Sequence, residues 1–470
     1  MNSTPRFKLF LMMVLEIFIW GAWLPLIFGY LPSLGFSATE PPQILAPFLS
    51  SILSKDWLWI VSEQSLILNA FPVSAIIGMF FSNQFADRNF AAEKFLSFSH
   101  LVGGLAMIGL AFVKAPEAVA GQPAPAAPFW IFFALMLLHC LFYVPTMSIT
   151  NSIAFAHMKD AKQEFGIVRM GGTIGWILAA WPMTFILVDW AKVDAAHASG
   201  IVAWIGAVLA SGLTGDALKH ATAYTFLVSG IASLVLAAFS LALPHTPPKP
   251  ADGKRESLAW LEAARLLKHP FVLVLWIVTL IDAFVHNSYF NWTGVFLGTK
   301  PDAGGVGIAS NWIMPVMSVG QVAEILTMFI LGATLKRLGW RATMIVGILG
   351  HAARFAVYAY FPQHRELIIA VQILHGICYA FFFATVYIFV DEFFPKDVRS
   401  SAQGLFNVMV LGFGPLLSNT ICPWLLQKKF KTGDVIDFHG LFLVPCFAAL
   451  VAVVLLAVAF HPNKAAVSET

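Results

Sequence analysis

Apolar runs of bilayer length recur twelve times along the chain, near residues 8–31, 64–84, 95–114, 128–155, 167–190, 221–243, 271–298, 309–335, 342–361, 367–393, 399–425 and 439–461. A helix rising 1.5 Å per residue needs about 20 apolar residues to cross the hydrocarbon core, so each run predicts a transmembrane helix. One polar and basic interval, residues 244–269, separates the runs six and six. Residues 200–212 are too short for a span and predict a helix on the outer surface or a covered loop. The insert 41–58, with Pro41, Pro42 and Trp57, predicts an outer cap or a short interfacial helix. In the interval between the sets, the amphipathic stretch 258–267 beside Lys254, Arg255 and Glu256 is expected to lie along the inner membrane surface. The pattern is that of an all-α integral membrane protein. Its domains are 1–243, an N-terminal six-helix bundle, 244–269, a cytoplasmic linker, and 270–470, a C-terminal six-helix bundle.

Composition agrees with the pattern. Of 470 residues, 59% are hydrophobic and only 11% charged, a balance that a water-facing surface of this size does not allow. Basic residues are retained on the cytoplasmic side during insertion. With the N-terminus inside, the cytoplasmic segments hold 17 Lys and Arg against nine outside, so both termini are expected to be cytoplasmic. The first run is expected to be an uncleaved span rather than a secretory leader, since it continues through Trp20, Trp23 and Leu26, carries Glu16 and offers no small-residue cleavage site. Cys140, Cys378, Cys422 and Cys446 all fall inside spans without metal-ligand spacing, so neither a disulfide nor a metal site is expected. The net charge of +3 points to no partner, and no nucleic acid is expected. No Gly-x-Ser-x-Gly elbow or His-Glu-x-x-His pair is present, so an enzyme is not expected. Two sets of six spans about one linker, with only short tails, are the layout of a transporter rather than of a receptor.

A weak internal repeat supports that reading. Between the eighth and ninth runs stands Gly332-Ala-Thr-Leu-Lys336-Arg337-Leu-Gly339-Trp-Arg341. It resembles the glycine-basic loop that follows the second helix of each half in the major facilitator superfamily. A worn copy occupies the matching place in the first half, where Asp87-Arg88 and Glu93-Lys94 survive and Asn83 takes the glycine position. The offset from Asp87 to Lys336 is 249 residues, about half the chain, as a parallel repeat requires. Any short inside loop tends to be basic, but charge topology does not explain the glycine spacing.

Polar residues within the runs are the candidates for function, because a charged side chain at the bilayer centre costs about 2.5–3.5 kcal/mol on insertion scales. Glu16, Trp20 and Trp23 share one helix face by their spacing. Arg169, Thr173 and Trp176 repeat that spacing, and Gln321 and Glu324 lie three apart on one face. Glu16 is either a functional carboxylate or one half of a packing pair. Arg169 either binds a ligand or extends its guanidinium to the cytoplasmic interface. The seventh run adds Asp282, His286, Asn287, Tyr289 and Asn291, and the tenth adds His375, Tyr379, Phe382 and Phe383. His100, His139, His351 and Arg354 read as helix-to-helix hydrogen bonds rather than ligands.

Taken in order, several stretches resemble the bacterial nucleoside:proton symporters of the major facilitator superfamily. They are Leu15-Glu-Ile-Phe-Ile-Trp-Gly-Ala-Trp-Leu24, Tyr143-Val-Pro-Thr146 with Asn151-Ser152, Val168-Arg-Met-Gly-Gly-Thr-Ile-Gly175, Gln321-Val-Ala-Glu324, Arg354-Phe355 and Arg399-Ser-Ser-Ala-Gln-Gly404. The resemblance implies a nucleoside site between the halves, lined by Arg169, Thr173 and Trp176, by Gln321 and Glu324, by amides whose nearest matches are Asn287 and Asn291, and by His375 and Tyr379. A nucleobase offers a flat face for stacking and edge groups that amides match, and ribose hydroxyls suit a carboxylate.

One position departs from the family. An aspartate implicated in proton coupling follows the second aromatic of the tenth span in the family, and Ala380 stands there in this chain. The candidates for carrying the proton are therefore Glu16 or Glu324, with His375 as a relay. The function expected is proton-coupled nucleoside import by a monomer in the cell inner membrane, with the lipid bilayer as its surroundings, no cofactor, and the proton gradient as driving force. The alternatives are a proton-coupled sugar or polyol carrier of the same superfamily and an uncoupled nucleoside facilitator.

Overall fold

The computed structural model describes residues 6–78, 89–115, 125–158, 161–248, 265–394 and 399–462. Each predicted run is helical over most of its described residues, but the fifth is not continuous: its helix ends at Ala180, a short turn of helix follows at Met183–Ile186, and Val188 pairs with Gly212 in a β-bridge. Eight helical runs among the described residues are long and apolar enough to cross a bilayer, and up to nine if a pair bent by 48°, Lys55–Val61 with Glu63–Ile77, forms one span. The 51-residue run Ser310–Tyr360 passes as one, although at 1.5 Å per residue it is about two and a half times as long as the hydrocarbon core is thick.

The chain clusters into two compact units. The first comprises 1–249, 290–318 and 420–435, and the second 250–289, 319–419 and 436–470. The helices used below are α1 (Arg6–Ser33), α2 (Glu63–Ile77), α3 (Ala92–Leu110), α4 (Ala127–His157), α5 (Ala161–Ala180), α6 (Gly215–Ser240), α7 (Pro270–Gly298), α8 (313–338), α9 (340–360), α10 (Arg365–Phe393), α11 (Ala402–Lys429) and α12 (Phe438–Ala459).

In the first unit α1 packs along α5. Between helices in lipid the hydrophobic effect supplies little, so small residues that let backbones touch carry much of the association. At Gly175 a Cβ would overlap the Val14 carbonyl of α1 and lie 3.1 Å from the Phe18 nitrogen. The second unit repeats the device, because a Cβ at Gly376 of α10 would overlap the backbone of α8 at Gly320 and Glu324.

Some expectations shift. The glycine-basic stretch 332–341 is not a loop along its whole length. Helix continues through Gly332 to Leu338, and the chain breaks at the single residue Gly339, whose φ of 73° and ψ of 176° suit a residue without Cβ. Residues 201–210 form a ten-residue helix, about 15 Å long and below spanning length. In the insert, helix Ala46–Ile52 and the 3₁₀ turn Lys55–Val61 expose Phe48, Ile52 and Trp57, consistent with an apolar interfacial element. Asn83, Asp87-Arg88 and residues 258–264 of the linker lie outside the described residues. All four cysteines are free and buried.

Candidate functional site

In the first unit, Glu16 is buried at 1% exposure and fully engaged. Its Oε2 lies 2.9 Å from His100 Nε2 on α3, and its Oε1 accepts from the Thr146 hydroxyl on α4 at 2.8 Å. The Tyr143 hydroxyl donates to the Glu16 carbonyl at 2.7 Å. His100 continues to Ser233 of α6 through Nδ1 at 3.0 Å, and the imidazole of His139 stacks on Tyr143 with centroids 5.1 Å apart. Each bond crosses between helices, so the network fixes α1 against α3 and α4.

The two tryptophans of α1 do not serve that face together. The helix pauses at Ala22 and Trp23 before restarting at Leu24, and Trp23 turns to Phe226 and His139. Trp20 stacks on Phe71 of α2 at 4.7 Å and meets Trp176 of α5 edge-on at 5.4 Å. Trp176 in turn touches Phe290 at 5.7 Å, an aromatic chain Phe71–Trp20–Trp176–Phe290. Thr173 and Arg169 are half-buried on the same helix, with the guanidinium folded against Gly172, and Arg169 interacts electrostatically with Tyr143. Asn291 is buried in this unit.

In the second unit the candidates gather on α7, α8 and α10. His375 is held between two rings, Tyr289 at 4.3 Å and His286 at 4.8 Å, and Tyr289 donates its hydroxyl to Gln372 Oε1 at 3.0 Å. Tyr379 is half-buried, 6.2 Å from the His286 ring. Asn287 points elsewhere, donating to Asn419 Oδ1 of α11 at 2.8 Å. His286 and Asn287 therefore belong to different faces of α7. Gln321 is buried at 6% exposure, and its Oε1 has no hydrogen-bond partner among the described residues, whereas Glu324, one turn on, is half-buried. A buried amide oxygen without a donor loses about 1–3 kcal/mol of solvation, which a ligand donor restores.

Three features were not read as functional in the sequence. His100 is the partner of Glu16, and helix periodicity on two separate helices carried no sign of it. Arg354, with 0% exposure, lays its guanidinium 4.3 Å over the Tyr289 ring, donates through Nη2 to His351 Nδ1 at 3.0 Å and couples electrostatically to Asp282. Finally, Tyr379–Ala384 is a π-helical turn, so Tyr379 and Ala380 sit where one residue is inserted into the ladder of α10. Such turns occur frequently at functional sites, and single-sequence patterns do not reveal them.

The two units and their buried polar clusters define a multi-pass membrane protein of major facilitator superfamily fold. The chain matches the Nucleoside H+ symporter family over residues 1–48, 44–214 and 198–465, and belongs to that family of transporters. It is 29% identical over 440 residues to a putative nucleoside transporter, YegT, of Escherichia coli, covering 92% of this chain and 86% of that protein. It is 24% identical to the nucleoside permease NupG of Escherichia coli, covering 93% and 92%. The crystal structure of nucleoside transporter NupG superposes with a TM-score of 0.72 at 20% identity, over 98% of this chain and 100% of that one.

Proposed function

We propose that this chain imports nucleosides across the bacterial inner membrane, driven by protons, by alternating access of its two halves. The family match along nearly the whole chain carries the reading. Arg169, Thr173, Trp176 and Asn291 from the first unit, with Gln321, Glu324, Asn287, His375 and Tyr379 from the second, are proposed to contact the nucleoside. Trp176 already makes ring contacts on two sides, and Gln321 presents an unpartnered amide oxygen. Both termini are proposed to be cytoplasmic and the working unit a monomer.

Uptake of labelled uridine and adenosine into energised vesicles, with and without an uncoupler, tests the whole reading. Uncoupler-sensitive accumulation supports it. Equilibration indifferent to the uncoupler points to the facilitator, and uptake of labelled ribose or disaccharide without uptake of either nucleoside points to the sugar carrier. Gln321→Ala is expected to raise KM by about five- to tenfold, the worth of one buried hydrogen bond, with the expression level unchanged. An unchanged KM would remove Gln321 from the set of contacts.

A further inference from the structure

We propose that Glu16 and His100 form a dyad that holds the coupling proton, a task that Ala380 cannot perform. The proposal rests on the proton-coupled reading above and adds to it a second residue and a definite proton count.

The count comes from Ser233. Its Oγ lies 2.9 Å from the His100 carbonyl oxygen and 3.0 Å from His100 Nδ1. A serine hydroxyl has one hydrogen, and a carbonyl oxygen only accepts. Both contacts are hydrogen bonds when Oγ–H donates to the carbonyl and Nδ1–H donates to Oγ, which leaves Nδ1 protonated. At the other end of the ring, Nε2 stands 2.9 Å from Glu16 Oε2. With Nδ1 protonated, this contact is a hydrogen bond in two arrangements. A protonated Glu16 donates to neutral imidazole, or an imidazolium donates to the carboxylate. Each contains one proton shared on the Oε2–Nε2 axis, and each has net charge zero. Oε1 is occupied separately by the Thr146 hydroxyl.

Release of that proton to water leaves a carboxylate oxygen facing the lone pair of Nε2 and takes the charge of the dyad from zero to −1. Both residues are 1% exposed, so neither the repulsion nor the charge is screened. The unloaded dyad regains a hydrogen bond if His100 changes tautomer and Ser233 abandons the His100 carbonyl, or it relieves the repulsion if α1 and α3 part. Proton occupancy is thereby tied to how α1 is held by α3 and α4. The titratable groups that act on the dyad are Tyr143 of α4 on Glu16 and His139 of α4 on His100, Cys140 and Arg169 act in turn on Tyr143, and α6 contributes the hydroxyl of Ser233.

Purified protein in proteoliposomes tests the dyad with three readouts, namely uridine accumulation driven by an imposed pH gradient, its pH midpoint, and uridine counterflow without a gradient. His100→Gln and Glu16→Gln are each expected to lower gradient-driven accumulation by about tenfold or more while counterflow continues. Ser233→Ala, which removes the acceptor of Nδ1–H together with the hydroxyl's bond to the His100 carbonyl, is expected to move the midpoint to lower pH by about half a unit, since the loaded form loses both bonds and the tautomer-shifted unloaded form only one. Accumulation by His100→Gln at the unaltered level overturns the dyad while leaving the nucleoside:proton reading intact. If the Gln variants do not fold, Ser233→Ala decides, and a midpoint that is unmoved or raised overturns the proposal. An unaltered protein that shows counterflow but ignores the gradient removes the proton-coupled reading and the dyad with it.

Discussion

Gly175→Leu is expected to leave no folded protein in the membrane fraction. A Cβ at this position would occupy the space of the Val14 carbonyl, with the Val14 carbonyl carbon at 2.9 Å and the Phe18 nitrogen at 3.1 Å. All of these are backbone atoms of α1, which have no rotamer to change. Overpacking against side chains costs about 1–3 kcal/mol, and against a rigid helix backbone the cost lies at or beyond the top of that range. The helices must therefore separate. Glu16 lies on α1 between Val14 and Phe18, so separation also disturbs the bonds to His100 and Thr146. Gly166→Ala, on the same helix, is the control. Nothing lies within 4 Å of its Cβ, and the better helix former is expected to be neutral or stabilising by up to about 1 kcal/mol. Thermal melting of detergent-solubilised protein, followed by size-exclusion chromatography, compares the two. Comparable melting of Gly175→Leu and the unaltered protein would mean that α1 and α5 do not cross at this distance.

Much of this architecture was legible in the chain, because membrane helices obey a length rule and a composition rule at once. The apolar runs predicted helices over most of the described residues they cover, while the breaks at Ala22–Trp23 and after Ala180 were not visible in them. Their ends were less legible where the signal was a single residue. The stretch 332–341 reads as a loop because it is basic and contains two glycines, yet only Gly339 takes a positive φ, while Gly332 is an ordinary helical residue. The site was legible by residue type more than by partner. Burial picked out Glu16 and Gln321, but not that Glu16 meets His100, 84 residues away, because pairing depends on which helices are neighbours. The same limit separates Asn287 from His286. They are adjacent in the chain, but one bonds to α11 and the other stacks on α10.

The largest electrostatic effect in the second unit is expected at Arg354 and Asp282. Both are fully buried, and the two interact electrostatically. The guanidinium is further held by the Tyr289 ring and by His351 Nδ1. Neither carboxylate oxygen of Asp282 has a hydrogen-bond donor among the described residues, and the nearest polar contact is His351 Nε2 at 3.7 Å. The guanidinium acts on Asp282 through space rather than through a direct ion pair, as the cation that burial leaves to offset a carboxylate there. Removing one member of a buried ion pair leaves the other uncompensated and typically destabilises by about 3–5 kcal/mol, whereas replacing both with neutral groups of similar volume is often nearly neutral. Arg354→Met and Asp282→Asn are each expected to show losses in that range. The double variant is expected to lie well above the sum of the two, with a coupling energy of about 2 kcal/mol or more in a double-mutant cycle. Melting temperatures of the four proteins in one detergent measure the cycle. An additive result would mean that Asp282 is held as the neutral acid. In that case the ring of Tyr289, not the carboxylate, keeps Arg354 in the interior, and Tyr289→Leu should then cost as much as Arg354→Met.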